Sequence, residues 1–462
     1  MSGFISTTPA EREAMLARIG VATLDDLFRD LPAKHYRPQL DLPAGLSEME
    51  TWQYLRGLSE TNLDLDRAPS FLGAGAYRHY APAAIGHLIS RSEFLTSYTP
   101  YQPEVSQGTL QAVYEWQSMV CALTGMDVAN ASVYDAGTGV GEAARMACAL
   151  TRRRRVLVLD TVNPGYRDVL ATYASGPDID VETLSAWHRN ADGTLGRVTD
   201  FSTSIDASVA CLIVQQPNFL GWLEQVEGLS AALSAVGAIL VVIADPVSLA
   251  VVRAPGEYGA GIVVAEGKWT GGPTDFGGPL VGMFACRRDY VRQMPGRIVG
   301  STVDAEGRKG YVLTLATREQ HIRRGKATSN ICTAEALIAL ATTVYLSHLG
   351  PQGLHEVAEQ SIAKAKYLAN EIARVPGFAV MATSPWLYEV PIRCPRPAAE
   401  INQILLAEGI IGGYDLGQYS PDLADALLVC CTEMTRRADM DAVAEAYQSA
   451  TGHHLRHPTL RA

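Results

Sequence analysis

Cysteines at metal or redox spacing are missing from this 462-residue chain. Its eight cysteines are scattered, mostly in apolar stretches, and none forms a CxxC pair. Reduced core thiols fit that usage better than disulfides or a zinc site. The ten histidines include no HExxH. Three of them, His453, His454 and His457, sit in a polar tail and read as solvent-facing rather than as ligands, so no metal is expected. No apolar run reaches the roughly 18 residues of a membrane span, and the start from Met1 to Ala10 lacks a secretory signal pattern. The expectation is a cytoplasmic chain with no membrane partner. Bases are also in the minority: 38 Lys and Arg face 49 Asp and Glu, a net charge of −11. That balance disfavours a phosphate-backbone footprint, so nucleic acid is not an expected partner. The one dense basic run, Arg152 to Arg155, leads straight into an apolar strand and reads as its solvated entrance.

What is present is a large core: 47% of the residues are apolar and 19% charged, and the length suits two or three compact units. Residues 1–70 read as an arm, with a periodic helix from Pro9 to Ile19 followed by Pro-bearing loops. From about 108 helices alternate with short apolar strands. A helix is expected from Thr109 to Leu123. Strands are expected at Val156–Asp160, Val209–Val214, Ile239–Ala244, Gly261–Val264 and Leu280–Cys286. Their hydrophobicity is continuous rather than alternating, as in a mostly parallel sheet covered on both faces. After the apolar helix Ala334–Leu349 the composition changes. Gln352–Arg374, Phe378–Pro391, Ala398–Glu408 and Asp439–Gly452 suggest a small α+β domain. The expected divisions are 1–70, 71–335 and 336–462, with no internal repeat.

Four clusters carry possible chemistry. Asp135-Ala-Gly-Thr-Gly-Val-Gly-Glu142 precedes a good helix, and backbone N–H groups at Gly137, Thr138 and Gly139 would suit a phosphate. The spacing is neither a Walker loop nor a GxGxxG after a strand, and glycines there also serve tight turns. Asp245 ends the strand Ile239–Ala244, where open parallel sheets bind ligands; a turn former before Pro246 is the plainer role. Lys268 lies beyond the next strand in a glycine-rich loop, where partial desolvation would free its amine for a Schiff base, although most loop lysines are merely solvated. Phe71–Tyr77 and Ser97–Glu104 offer tyrosines and glycines as a pocket lining or as interface packing. A phosphate cup, a carboxylate and a lysine, in that order along an α/β chain, match the needs of pyridoxal phosphate.

Longer motifs carry a resemblance: Phe71–Gly75, Tyr98-Thr-Pro-Tyr-Gln-Pro-Glu-Val-Ser-Gln-Gly108, Leu123–Ser132, Gln215-Gln-Pro-Asn218, Pro255–Gly259, Arg318–Arg324 and Lys326–Cys332. Over nearly the whole chain these are similar to subunit 1, the alpha half, of the glycine decarboxylase P-protein. The resemblance implies a fold type I (aspartate aminotransferase-like) α/β large domain, a pyridoxal phosphate enzyme, and an active site where two related subunits meet. Subunit 1 generally has Gln-Ser-Leu-Gly where this chain has Lys268; the aldimine lysine belongs to subunit 2. Lys268 stands eleven positions before Pro279, the offset found in subunit 2. The Gly141-Glu142 pair is likewise similar to subunit 2, where subunit 1 usually has small Ala residues in this loop. A family His that would stack on the cofactor ring is Asn163 here, with Tyr134 a weak substitute.

The favoured expectation is therefore a self-contained, diverged enzyme acting on an amino acid. Lys268 would be its catalytic residue, and Asp245, Gly137, Thr138, Gly139, Asn163 and Asn218 would hold the cofactor. Tyr98, Tyr101, Arg323 (or Arg324) and Arg436 would bind substrate. Such a chain would form a homodimer and serve specialised metabolism, for example on S-adenosylmethionine. The alternative is an ordinary subunit 1 of the glycine cleavage system, working with subunit 2 and lipoyl H-protein. A non-catalytic scaffold is the third reading, and a lysine at the functional offset argues against it.

Overall fold

The computed structural model describes residues 6–451; the three tail histidines lie outside them. The chain divides into two units, Met1–Asp64 and Leu65 onward.

In the first unit the helix Pro9–Ile19 forms where its periodicity places it. Thr8 and Glu11 close a capping box at its start, and Gly20 ends it in the left-handed region. A second helix, Glu48–Ser59, starts on an equivalent box from Ser47 and Glu50. Neither helix buries a single residue. Met49, Trp52 and Leu55 are more than half exposed, so this arm is stabilised by its caps rather than by a core.

The second unit is built on a seven-stranded sheet in the spatial order 128–129, 282–286, 262–266, 239–244, 209–216, 155–159, 180–184. The five strands from 262–266 to 180–184 are mutually parallel. Cys286 and its neighbours return antiparallel at one side. Ile239–Ala244 is buried at every residue, the two-sided burial its unbroken hydrophobicity requires. Helices Gln107–Thr124 and Ala136–Thr151 supply covering layers of the same core. The fold is α/β with a mostly parallel sheet, as expected.

A four-stranded antiparallel sheet follows, in the order 379–380, 389–393, 426–430, 414–415, with helices Ala398–Ala407 and Arg437–Ala450 packed into its core. The helical run Ala336–Ile372 joins the two sheets. It breaks at Gly350, φ +61°, just before Pro351, where two separate helices are expected from the sequence. The hairpin Ile298–Val303 with Lys309–Thr314 has no counterpart in the sequence reading: its strands are mostly half-buried or exposed, with only Ile298 and Val299 buried, and are interrupted by glycine, so they lack the unbroken apolar signature. Among the described residues no helix is long and apolar enough to cross a membrane.

Candidate functional site

Two adjacent parallel strands end in carboxylates. Ile239–Ala244 delivers Asp245, whose oxygens accept from the backbone N–H of Val247 at 3.3 Å and of Ser248 at 3.0 Å. The Tyr388 hydroxyl also donates to Asp245 Oδ2. Ile262–Glu266 ends on Glu266, which binds three backbone amides. Its Oε1 accepts from Lys268 and Val281, each at 3.0 Å, and its Oε2 from Ala136 at 3.1 Å. One buried carboxylate thus ties together the end of its own strand, the start of the next, and the first turn of the helix Ala136–Thr151.

That helix begins earlier than the sequence implies. Gly137, Thr138 and Gly139 are its first turn rather than an open loop, and all are buried. Asp135 caps it, accepting from Thr138 N–H at 2.7 Å and from the Thr138 hydroxyl at 3.0 Å. A side chain at Gly139 would stand 2.6 Å from Val264 Cγ1; glycine here permits close helix–sheet packing.

The carboxyl ends of the parallel strands open on a cavity bordered by Tyr77, Asn163, Asp245, Glu266, Tyr388 and Glu389, among others. Tyr77 donates to Glu389 Oε2 at 2.6 Å, and Ala74 N–H to its Oε1 at 2.6 Å. The Tyr77 ring stands edge-on to Trp269 and to Tyr388, centroids 5.7 and 5.4 Å away. Burial pushes the Glu266 and Glu389 carboxyls up to about 7.

Lys268 is completely buried but is not among the residues bordering this cavity. Its Nζ donates to the carbonyls of Thr274 at 3.0 Å and Gly278 at 3.1 Å, and burial lowers its pKa. Asn163 borders the cavity, with its amide oxygen occupied by Gly165 N–H at 2.9 Å. Asn218 is a turn former, accepting from Leu220 and Trp222 N–H and donating to Glu224.

The expected substrate residues lie elsewhere. Tyr98 is 81% exposed, Tyr101 accepts from Arg297 at 3.0 Å, and Arg436 is an exposed partner of Asp439. Arg323 and Arg324 are exposed on short helical turns, and Tyr134 accepts from Cys332 N–H at 3.4 Å. Within this chain they do not join Asp245.

Comparison with known proteins settles the family. A family model described as the glycine cleavage system P-protein matches residues 2–447. The chain belongs to that family. Similar proteins include the probable glycine dehydrogenase (decarboxylating) subunit 1 of Desulforamulus reducens, 47% identical over 96% of this chain and 98% of that protein. The protein of the same name from Thermomicrobium roseum is 48% identical over 97% and 99%. Among solved structures, a glycine decarboxylase (P-protein) of the glycine cleavage system in inhibitor-bound form superposes with a TM-score of 0.87. It is 40% identical and covers 96% of this chain and 99% of its own. A sphingosine-1-phosphate lyase of Burkholderia pseudomallei, 16% identical with a TM-score of 0.65 and coverage of 91% and 94%, shows the fold alone.

The P-protein family is pyridoxal phosphate-dependent, so the expectation of a glycine dehydrogenase-type enzyme of that chemistry stands on this membership. The place such a cofactor takes in the fold is a different matter in this P-protein chain. Within the expected phosphate cup the Thr138 N–H already donates to the Asp135 carboxylate and the Gly139 N–H to the Asp135 carbonyl, while the neighbouring Ala136 N–H donates to Glu266; acidic side chains there would repel a phosphate dianion. Asp245 accepts from Tyr388, and the lysine amine is occupied by two carbonyls of its own loop. In this arrangement the residues do not fit the cofactor. Sequence reasoning missed Glu266, Tyr77, Tyr388 and Glu389. Glu266 and Tyr77 lie inside motifs it singled out, whereas nothing in the sequence pairs Tyr388 with a strand end 143 residues earlier.

The raised carboxyls make a prediction about pH. An acid whose folded pKa exceeds its unfolded one binds more protons when folded, so stability falls as pH rises between the two values. For Glu266 and Glu389 that window runs from 4.5 to about 7. Unfolding free energy from urea titrations should drop across it, by up to about 3 kcal/mol for each group at about 1.4 kcal/mol per pKa unit. Glu389→Gln should flatten the slope; an unchanged slope would remove Glu389 from the account.

Proposed function

We propose that this chain is subunit 1 of a two-chain glycine dehydrogenase (decarboxylating). It works with a subunit 2-type partner that carries the pyridoxal phosphate, and with the lipoyl H-protein that accepts the aminomethyl group from glycine. The observation that carries the reading is the agreement of relatives along the full length, each named as subunit 1. The internal engagement of Lys268, Asp245 and Thr138 supports it, since a chain whose cofactor-type groups already serve one another needs a partner that offers them free. The self-contained, diverged enzyme gains nothing from these relatives, and the homodimer expected with it has no support either.

When bound in the partner, the cofactor supplies an electron sink for the carboxylate loss. The residues of this chain act as structure: Glu266 and Asp135 fix the helix start, and the Asp245–Tyr388 and Tyr77–Glu389 pairs hold the antiparallel sheet against the strand ends. A cytoplasmic setting belongs to this reading, supported by eight free thiols among the described residues.

The test is exchange of labelled carbon dioxide into the glycine carboxyl, with H-protein present. The chain alone should give background, and the chain with a subunit 2 from the same source should restore exchange at least a hundredfold. Full exchange by this chain alone would overturn the proposal.

A further inference from the structure

A lysine stands where the resemblance implies an aldimine donor, and the structure puts it to another use. From the geometry we infer that Lys268 is the latch of the loop 269–279, and that no Schiff base forms on it in this chain. The inference deepens the proposed function at the same site and is tested separately from it.

The loop Trp269-Thr-Gly-Gly-Pro-Thr-Asp-Phe-Gly-Gly-Pro279 is buried at its start, and beyond Gly272 its backbone is tied within the loop only by the turn bonds from Gly277 to Thr274 and from Gly278 to Asp275. Four glycines leave its backbone unconstrained, and its tip, Phe276, is fully exposed at φ +26°. The long side chain at its base ties the two flanks of the tip together. The Lys268 ammonium reaches over the Trp269 ring, centroid 5.1 Å away, and donates to the Thr274 and Gly278 carbonyls at either side of the tip. Its stem is wholly buried. Two carbonyls four positions apart are thereby held to a single point, and the tip is closed as a ring around the amine.

A Schiff-base lysine needs the opposite placement: a free nitrogen lone pair within reach of an aldehyde seated over the strand ends. Here the amine donates to two carbonyls of its own loop, and Lys268 is not among the residues bordering the cavity of Asp245. Reaching that cavity would break both hydrogen bonds and release the loop. The anion end of the same place is closed independently. Glu266 takes the Lys268 and Ala136 amides, and Asp135 takes Thr138, so these backbone donors already serve acidic side chains. The lysine and Glu266 act together: Glu266 holds the Lys268 and Val281 amides on either side of the loop, and the amine fixes the tip.

The experiment uses the full chain. Pyridoxal phosphate is added, the visible spectrum recorded, borohydride applied and the labelled peptides identified by mass. No aldimine band and no label on Lys268 above that of exposed lysines such as Lys34 are expected. A stoichiometric label on Lys268 would overturn the inference, whether or not the partnered enzyme processes glycine. Separately, Lys268→Met keeps the apolar stem and removes both hydrogen bonds. Amide exchange within 269–279 should then accelerate about tenfold, with exchange in the strand Ile239–Ala244 unchanged. Loop exchange equal to that of the unaltered chain would overturn the latch. Failure of the two-chain glycine assay, with these results intact, would count against the proposed function only.

Discussion

Glu266→Ala should destabilise the second unit by about 3–5 kcal/mol in urea unfolding, more than its modest hydrophobic content suggests. The side chain is 7% exposed and accepts from the amides of Lys268, Val281 and Ala136. Removing it orphans three backbone donors on three separate segments, each costing about 1–3 kcal/mol unless water replaces the carboxylate. Partial rehydration through the neighbouring cavity keeps the total below the simple sum. Glu266→Gln is the informative companion. Its amide group cannot accept from Ala136 while its oxygen serves the other two, so roughly half the loss should remain. A full-length chain that unfolds at the same urea midpoint after Glu266→Ala would show that this three-way tie contributes nothing.

Gly221→Ala is expected to be comparably severe, for a different reason. Gly221 sits at φ +82°, and a Cβ there would lie 2.2 Å from the backbone carbonyl oxygen of Glu389. The backbone penalty for a non-glycine residue is about 1 kcal/mol or more. The overlap is with main chain of a buried strand, which cannot move aside without disturbing the pairing of Glu389 with Cys430. Together the expected cost is about 3 kcal/mol or above. Because the same displacement would pull Glu389 from Tyr77, the pH slope described for the buried carboxyls should change in this variant too. Retention of both midpoint and slope would mean that the strand yields more easily than its burial implies.

Much of the fold was legible because burial leaves a direct trace in residue choice. Ile239–Ala244 is apolar at every position and is a central strand; Thr8 and Glu11 announce the helix they cap. The hairpin at 298–314 and the short strand Asp180–Leu184 left no such trace, since strands with only one face against the protein can mix polar and apolar residues. The candidate site was legible in part. Asp245 was recognised from its position at a strand end, but its partner Tyr388 is supplied by an antiparallel sheet far along the chain. The glycines at 137–141 suggested a phosphate cup, whereas they answer to crowding: Gly139 against Val264 and Gly141 against Tyr173. Lys268 was singled out for its offset from Pro279. Offset along the chain does not encode which way the side chain turns, and here the carbonyls of its own loop decide that.

The helical run from Ala336 to Ile372 belongs to more than one core. Ala339 packs with the parallel sheet, Ala341, Tyr345, Leu354 and Ala358 form a bridging cluster, and Ala365 to Ile372 lie under the antiparallel sheet. Neither sheet can shed its helix without exposing apolar surface of the other. Beyond residue 64, heat or urea should therefore meet one cooperative body with a single transition, and the bend at Gly350 is the point where a shared beam changes direction rather than a seam where it parts.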